Sequence, residues 1–390
     1  MITIQQDALN AALNAVTRAS LKSSLAAFSL VRLDVKTDGI LRLSCFNGET
    51  AARAITNVVC DEDVSVSVDA QTFKAVVETL VNEIHLTVED NSVVIQSSAN
   101  RTTLRIVEES IPIIGEESIQ TIATFSGNIF HSLVRVLPFA STDDSRAVLQ
   151  VLHLILEAEA VSAQTADGYS ACHVRESIEG PSEQTSVSLP LSFARLLSTL
   201  IEDRDKVCMG TSGPNRYIFH ITKTDDSKDL TLATVTAAEG FPSAQIMTLI
   251  EDARKSTAAH LNLQQTSLMQ SIRMVNAMGT QSTFIKTLNG MAKIASAESE
   301  TGQVRNILEG KASGENVNVW VSAAFLKRAA EACKGELAIR ISDGKKPLLI
   351  EAGAFTAVIM PMLMEGSQDP FPEDETLAIS LPEMDGVFAQ

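Results

Sequence analysis

The sequence predicts an α+β protein of three duplicated domains, each containing two units in which a strand, a helix and three further strands follow one another. Three observations support this prediction. Six amphipathic helices recur along the 390 residues, with anchor residues spaced 64, 57, 63, 75 and 57 residues apart. Alternating apolar and polar residues, typical of strands, fill the intervals between the helices. Turn dipeptides such as Asp38-Gly39 and Asp167-Gly168 separate the strands.

Each of the six helices is identified by an apolar stripe along one side. In the first four, the stripe follows the i, i+3, i+4, i+7 spacing of a helix with one buried face, as in residues 73–80 (FKAVVETL). The sixth keeps a looser stripe of Phe325, Ala329 and Ala332. The helices are predicted over residues 6–18, 70–81, 127–138, 191–200, 263–277 and 322–334. Their predicted N-caps include Asp69, Ser126, Asn262 and Ser322.

Because the helix spacings repeat in pairs, the natural domain holds two units. We predict an N-terminal domain over residues 1–118, a middle domain over 119–249 and a C-terminal domain over 250–364. The remaining residues, 365–390, contain seven acidic residues, several prolines and no lysine or arginine. That composition predicts a disordered, solvated acidic tail. The alternative is three unrelated α+β domains of similar size.

Composition excludes several classes of protein. No apolar run approaches the ~18 residues of a membrane span, and the N-terminus lacks the basic and apolar regions of a signal peptide, which predicts a cytoplasmic protein. The five scattered cysteines form no CxxC pair, so we predict reduced thiols. Six dispersed histidines without ligand spacing predict no metal, cofactor or catalytic residue. An enzyme whose residues converge only in the fold remains the alternative, with Asp143-Asp144 as its one carboxylate pair.

Positive charge concentrates on the predicted helices, although the whole chain has a net charge of −17. The helices contain eight basic residues against three acidic ones. A basic helix face fits phosphate contacts that do not depend on base sequence. One tryptophan and two tyrosines, with no recognition-helix motif, argue against base readout. The residues predicted to contact DNA are Arg18, Lys22, Lys74, Arg135, Arg195, Arg273, Lys327 and Arg328.

Four motifs resemble those of one protein family. Residues 143–149 (DDSRAVL) resemble its D-E-S-R-P-V-L motif, and residues 166–169 (ADGY) resemble its T-D-G-H. Residues 240–242 (GFP) resemble, one residue shorter, its G-x-F-P, and residues 358–362 (VIMPM) resemble its V-V-M-P-M. The four motifs occur in the family's order, and the resemblance covers about residues 1–364. The chain is therefore identified as a divergent member of the bacterial DNA sliding clamps, the beta subunits of DNA polymerase III.

The resemblance implies a non-catalytic processivity factor without a cofactor. Two copies would form a head-to-tail ring of six domains that encircles duplex DNA, is opened by an ATP-driven clamp loader and tethers polymerase and repair proteins. In the dimer, Leu104 and Ile106 of one copy would meet Asn276 and Ala277 of the second. The resemblance also implies an apolar peptide groove between the middle and last domains. Its residues would be Leu149, Gly168, Tyr169, Ala171, Pro242, Ile246, Met247, Val358, Met360, Pro361 and Met362.

The chain departs from the family at informative positions. Ala166, Tyr169 and Ser170 replace the family's Thr, His and Arg, so we expect a different peptide preference. Asn276 and Ala277 replace large aliphatic residues, which predicts a less apolar dimer contact. An alternative function is a clamp-fold scaffold that binds peptides without encircling DNA. A further hypothesis is that residues 377–381 (LAISL) of the tail fold into the groove as an autoinhibitor.

Overall fold

The structure, a computed structural model, describes residues 1–23, 25–109, 111, 119–181, 183–213, 215–224, 229–237, 239–364 and 369–371. The chain divides into two compact units, Met1–Ile246 and Met247–Gln390. We describe each unit separately. The predicted autoinhibitory segment 377–381 lies outside the described residues. The three predicted domain ranges stay a prediction.

The first half of the first unit contains two successive strand–helix–strands repeats. Its elements are β1 (Ile2–Gln5), α1 (Gln6–Val16), β2 (Leu30–Lys36), β3 (Ile40–Phe46), β4 (Thr50–Asn57), β5 (Val59–Cys60), β6 (Val64–Asp69), α2 (Ala70–Thr79), β7 (Glu83–Glu89), β8 (Ser92–Ser97) and β9 (Asn100–Arg105). Short 3₁₀ segments cover Thr17–Ala19 and Ala26–Ser29.

The second half of this unit repeats the same order twice more. Its elements are β10 (Gln120–Ser126), α3 (Gly127–Leu133), β11 (Val151–Glu157), β12 (Ala160–Ala166), β13 (Ser170–Ser177), β14 (Thr185–Pro190), α4 (Leu191–Leu200), β15 (Lys206–Thr211), β16 (Arg216–Thr222) and β17 (Asp229–Val235). Two 3₁₀ segments, Val134–Phe139 and Asp144–Leu149, separate α3 from β11. Helix α5 (Ser243–Lys255) begins at the end of the unit.

The second unit contains the fifth and sixth repeats. Its elements after α5 are β18 (Ala259–Gln264), α6 (Gln265–Ala277), β19 (Ser282–Leu288), β20 (Met291–Ser296), β21 (Arg305–Leu308), β22 (Gly310–Gly314), β23 (Asn318–Ser322), α7 (Ala323–Ala332), β24 (Glu336–Ile341), β25 (Leu348–Ala352) and β26 (Phe355–Ile359). The order of elements confirms the predicted α+β class and its sixfold strand–helix–strands repeat.

Antiparallel sheets connect the repeats. In the first unit the strand orders are β5-β1-β7-β8-β9, β10-β15-β16-β17-β4-β3-β2-β6 and β14-β11-β12-β13. The eight-stranded sheet forms because β17 pairs with β4, from Leu230 opposite Ala54 to Thr234 opposite Thr50. The second unit contains β26-β25-β24-β18-β22 and the four-stranded sheet β21-β20-β19-β23.

The helices form where the sequence predicts buried faces. In α1 the stripe Leu9, Ala12, Leu13 and Val16 is fully buried, and burial of a large aliphatic side chain stabilises by about 1.5–3 kcal/mol. Helix α2 begins at Asp69, whose carboxylate accepts a hydrogen bond from the Thr72 N–H at 2.8 Å. This bond satisfies one of the free N–H groups of the first turn.

Helix α5 is a helix that the sequence analysis did not predict. Its buried residues Ile250 and Ala253 have helical spacing, but Pro242 precedes the segment and only about three turns follow. The segment also falls outside the repeating unit, so the period gives no signal for it. Its two basic residues, Arg254 and Lys255, are balanced by Glu251 and Asp252, so α5 adds no net charge.

Several helix details differ from prediction. Helix α3 ends at Leu133, and the chain continues as a 3₁₀ segment that contains Pro138, a residue without an N–H donor for an α-helix. In α7 the buried anchor is Leu326 rather than Phe325, which is half-buried. Asn262 lies inside β18 and does not cap α6, because β18 continues to Gln264.

No helix in the described part of the chain is long and apolar enough to cross a membrane. No disulfide joins any of the five cysteines, all of which lie in described residues. Burial raises the pKa of the Cys45 thiol far above its ordinary value, so this thiol stays protonated. The described residues contain no group of three or more His, Cys, Asp or Glu side chains that could hold a metal ion.

Candidate functional site

The predicted groove residues fall into two sets, one in each unit. Leu149, Gly168, Tyr169, Ala171, Pro242 and Ile246 belong to the first unit. Met247, Val358, Met360, Pro361 and Met362 belong to the second. We call them the hairpin set and the methionine set, and the structure defines the local geometry of each.

A tight turn between β12 and β13 positions the most exposed member of the hairpin set. The Asp167 carboxylate accepts hydrogen bonds from the backbone N–H of Tyr169 at 2.9 Å and of Ser170 at 2.7 Å. Gly168 has φ +93°, a conformation that residues with a Cβ rarely adopt. The turn leaves Tyr169 57% exposed.

Arg146 packs beside this turn. Its guanidinium donates to the Asp167 carbonyl oxygen at 2.9 Å, and its central carbon lies 5.7 Å from the centroid of the Tyr169 ring. Its Nε is 3.6 Å from the carboxylate of Asp143. A Cβ at Gly168 would displace this guanidinium, whereas the positive φ is what favours glycine at this position. Arg146 belongs to the 143–149 motif but is not among the predicted site residues.

The 3₁₀ segment that holds Arg146 is closed by local hydrogen bonds and is joined to the hairpin through Ser141. The Ser145 hydroxyl and N–H donate to Asp143 and, with Arg146, lower the pKa of this carboxyl group below its ordinary value. Ser141 donates its N–H to the carbonyl oxygens of Leu149 at 3.2 Å and Ala166 at 3.1 Å. Leu149 is thereby held, half-buried, beside the end of β12.

A buried stack anchors the Gly-Phe-Pro motif. The Phe241 ring stacks on His153, with centroids 4.7 Å apart and planes 19° apart. Nδ1 of His153 is 3.0 Å from the Ser188 hydroxyl, and burial of the ring lowers its pKa to about 4. Because Phe241 is fixed, the next residue, Pro242, is also fixed. The carbonyl oxygen of Pro242 accepts a hydrogen bond from the Ile246 N–H at 3.1 Å, in the first turn of α5.

Four members of the methionine set lie in or directly after strand β26, and Met247 lies in α5. Val358 is buried within the strand, whereas Met360 is 40% exposed just after it. The Met362 N–H donates to the Trp320 carbonyl at 2.7 Å, which holds the extended segment along β23. Pro361 and Met247 are half-buried. An exposed methionine on a fixed backbone can adapt to apolar ligands of different shapes.

The predicted DNA-binding residues differ in how strongly they are engaged. Arg18 donates to the Thr199 hydroxyl at 2.6 Å, while Lys74 and Lys327 face Glu78 and Glu331 of their own helices at 3.7 and 3.6 Å. The guanidinium of Arg328 lies 4.9 Å from the ring centroid of Phe325.

Three other members of this set, Lys22, Arg195 and Arg273, carry more available charge. The exposed residues Lys22, Arg195 and Arg273 have no ion-pair partner among the described residues. Arg18 and Arg135 lie in 3₁₀ segments rather than in the predicted α-helices, and Lys22 lies in the loop after α1.

The predicted dimer-contact residues lie at or near two sheet edges. Strand β9, which contains Leu104, ends the five-stranded sheet, and Ile106 follows it directly. Both side chains are half-buried. Asn276 and Ala277 are exposed at the end of α6, which packs against β21, the edge strand of the four-stranded sheet.

Comparison with known proteins gives a clear structural result. No family model matches the chain, and no curated protein sequence matches it. The DNA polymerase sliding clamp of Bacillus subtilis is similar in structure, with a TM-score of 0.83 and 15% identity over 93% of this chain and 99% of that chain. The DNA polymerase III beta subunit of Pseudomonas aeruginosa is similar with a TM-score of 0.80 and 18% identity, over 93% of this chain and 100% of that chain. The beta subunit of Thermotoga maritima is similar with a TM-score of 0.80 and 16% identity, over 93% of this chain and 99% of that chain.

The six strand–helix–strands repeats define a clamp-type fold. The chain has the fold of the bacterial DNA polymerase III beta sliding clamps, as the motif resemblance predicted. The match extends over nearly the full length of each of these clamps.

The stack of Phe241 on His153 predicts a specific pH dependence of stability. The unfolded chain protonates residue 153 below about pH 6.5, but the folded protein does so only near pH 4. This contribution to stability is therefore complete above pH 6.5 and is lost as the pH falls through this window. Between pH 7 and pH 5 the loss is about 2 kcal/mol. Hydrogen exchange of peptides that cover β11 and β14 measures it.

The variant His153→Gln keeps a polar side chain but no titrating ring, so this component of the pH dependence should vanish. The matched variant His85→Gln replaces a more exposed histidine and should keep the pH-dependent loss of stability assigned to His153. An unchanged pH dependence in His153→Gln would contradict the assignment.

Proposed function

We propose that this protein is a cytoplasmic DNA sliding clamp that encircles duplex DNA and tethers polymerase and repair proteins. The observation that supports this most strongly is the match of the whole repeated fold to DNA polymerase sliding clamps. The basic residues on and beside the helices give the proposal a chemical basis. No catalytic step is assigned, because a clamp acts by retaining its partners on DNA.

The basic residues suit binding that permits sliding. Arg195 and Arg273 are exposed arginines without a competing ion pair among the described residues. The pairs of Lys74 and Lys327 with glutamates of their own helices are worth only about 0.3–0.5 kcal/mol each, so phosphates can replace these partners. Contacts of this kind do not depend on base sequence.

Retention on circular DNA tests encirclement. With the clamp loader of the same organism and ATP, the protein should remain on a nicked circle through gel filtration and should dissociate after a restriction enzyme linearises the circle. A ring leaves through the new ends because its contacts with phosphates are mobile. The combined variant Arg195→Gln and Arg273→Gln should reduce loading and flatten the slope of log K against log salt by about 0.9 for each phosphate that is no longer neutralised.

The control is the same DNA with both new ends blocked by bound protein, where linearisation should not release the clamp. Equal retention on circular DNA and on linear DNA with free ends would favour the alternative function, a peptide-binding scaffold of the clamp fold.

We also propose that two copies close the ring through β9 of one copy and β21 of the other. Both strands end their sheets, and an unpaired strand edge tends to pair with another chain. Because the two edges are on different sheets, the contact is head-to-tail. Such contacts form a closed ring when the rotation that relates one copy to the next closes on itself. Leu104 and Ile106 would supply apolar contacts, and Asn276 and Ala277 would add little apolar area.

Substitution at the edge tests this dimer. In Leu104→Asp, a carboxylate would be buried at the contact, so the mass measured by light scattering should fall from twice 41.8 kDa toward 41.8 kDa at micromolar protein. The matched control is Val59→Asp, at a residue 73% exposed on β5, the opposite edge of the same sheet. A dimer that persists in Leu104→Asp, or a monomer in Val59→Asp, would contradict the proposed contact.

We further propose that the hairpin and methionine sets together bind an apolar peptide of the partner. Met360 and Tyr169 supply exposed apolar surface on fixed backbones. Ser170 stands where related clamps are expected to have arginine, and Arg146 is engaged by Asp143, the Asp167 carbonyl and the Tyr169 ring. The groove therefore offers little free positive charge, and its peptide preference should rest on apolar and aromatic side chains.

The groove proposal is tested with a charge at Met360. A fluorescent peptide from the C-terminus of the polymerase of the same organism should bind Met360→Glu at least tenfold more weakly, because a carboxylate must then be desolvated against apolar groups. The matched control is Met291→Glu, at a methionine 42% exposed against 40% for Met360. Equal affinities of the two variants would contradict the position of the groove.

A further inference from the structure

Three residues beyond the repeated fold pack against the four-stranded sheet of the second unit. Asp369, Pro370 and Phe371 are described, although they belong to the segment 365–390 for which the sequence predicts a solvated tail. Phe371 is only 2% exposed, as deeply buried as a core residue. This burial is not explained by the repeat or by the proposed function.

Phe371 covers one face of the sheet, which we call the aromatic face. Strand register defines it: Phe284 lies opposite Ala295 on β20 and opposite Trp320 on β23, and Lys286 lies opposite Lys293. Directly opposed residues in antiparallel strands share a face. The other face contains Ile285, Ile294 and Val319, all fully buried in the core.

The aromatic part of the contact is a cluster of rings. Phe371 packs with Phe284 and Ala295, and the ring centroids of Phe371 and Phe284 are 6.4 Å apart. Trp320 packs against the same cluster, with its centroid 4.9 Å from that of Phe284. Without Phe371, this face would leave an aromatic surface open to solvent.

The polar part of the contact uses two lysines that are well removed from water. Lys286, whose side chain is 12% exposed, forms an ion pair with Asp369 and donates to the Phe371 carbonyl oxygen at 3.2 Å. Lys293 is 5% exposed, and its Nζ lies 5.3 Å from the centroid of the Phe371 ring. A buried ammonium group is costly unless it is paired, so the sheet is built to receive an anion and a ring.

We propose that the aromatic face is a second peptide-binding site, specific for an acidic residue, a proline and an aromatic residue in sequence, and that the chain's own Asp369-Pro370-Phe371 occupies it in cis. The acidic and the aromatic positions each have a receptor on the sheet, and the proline restricts the backbone between them. Lys286 takes the carboxylate, and the cluster of Phe284 and Trp320 with Lys293 takes the ring. Partner peptides of the same chemistry would bind by displacing this tripeptide.

The tripeptide is well preorganised for this site. The Phe371 N–H donates to the Asp369 carboxylate at 2.8 Å, which brings the acidic group and the ring to the same side of the peptide. Pro370 restricts the backbone between them, so less conformational freedom is lost on docking.

Tryptophan fluorescence of the full chain tests occupation in cis, because Trp320 is the only tryptophan. In Phe371→Ala, water should reach the cluster, and the emission maximum should shift to longer wavelength by several nanometres. The matched control is Phe388→Ala, which changes the same residue type in the same tail and should leave the emission unchanged. The shift should not depend on protein concentration, because the occupant is part of the same chain.

Binding in trans tests the specificity of the site. A fluorescein-labelled peptide of residues 365–375 (EGSQDPFPEDE) should bind full-length Phe371→Ala at least tenfold more tightly than the wild-type chain, whose site is occupied. Replacing the aspartate or the phenylalanine of the peptide by alanine should each weaken binding about tenfold or more. In the double variant Lys286→Ala and Phe371→Ala, the alanine substitution of the peptide's aspartate should no longer change the affinity. Most of the salt dependence of peptide binding should also be lost.

Three results would overturn the proposal: an unchanged emission maximum in Phe371→Ala, an equal shift in Phe388→Ala, or no binding of the peptide to Phe371→Ala. If dilution moved the emission maximum of the wild-type chain to that of Phe371→Ala, the tripeptide would be docking between copies. That result would also contradict occupation in cis. None of these measurements involves DNA or the dimer, so they can fail or succeed independently of the proposed clamp function.

Discussion

The pairing of β4 with β17 is the interaction on which the first unit depends. Five cross-strand positions, from Leu230 opposite Ala54 to Thr234 opposite Thr50, unite two halves of the chain in one eight-stranded sheet. Without this pairing, each half would expose a strand edge whose N–H and C=O groups lack partners. Across the same unit, Arg18 after α1 donates a hydrogen bond to the Thr199 hydroxyl in α4, so the first and fourth repeats are also joined by a side-chain contact.

Local chemistry explains why much of the fold could be predicted from sequence. A buried helix face repeats every 3.6 residues, and an Asp-Gly pair favours a turn whatever surrounds it, so α1 and the 167–168 turn follow from neighbouring residues alone. Helix α5 escaped prediction because it lies outside the repeat. Phe325 was a wrong anchor because periodicity locates an apolar stripe only to within one residue when alanines flank it, and Leu326 is the residue that the fold buries.

The site was less predictable because its important contacts join residues far apart in sequence. Phe241 is held by His153, and Arg146 acts through the turn at Asp167 and Tyr169; neither pairing leaves a spacing signal. The motif resemblance located the segments around Phe241 and Asp167, but it did not identify His153 and Arg146 as the side chains that hold them. The burial of Phe371 could not be predicted for the same reason. The composition of residues 365–390 averages two phenylalanines into an acidic background, whereas docking depends on one of these two rings and the residues that contact it.

The placement of the lysines reconciles a net charge of −17 with a proposed function on DNA. Lys286 and Lys293 lie on a sheet, where Asp369 neutralises one and the Phe371 ring covers the other. Arg195 and Arg273 lie on helices, where the described residues offer no carboxylate to neutralise them. Local fields decide which surface attracts phosphate, so a strongly acidic chain can still present basic helices. The docked acidic tripeptide sharpens this division, since it removes positive charge from the sheet and leaves it on the helices.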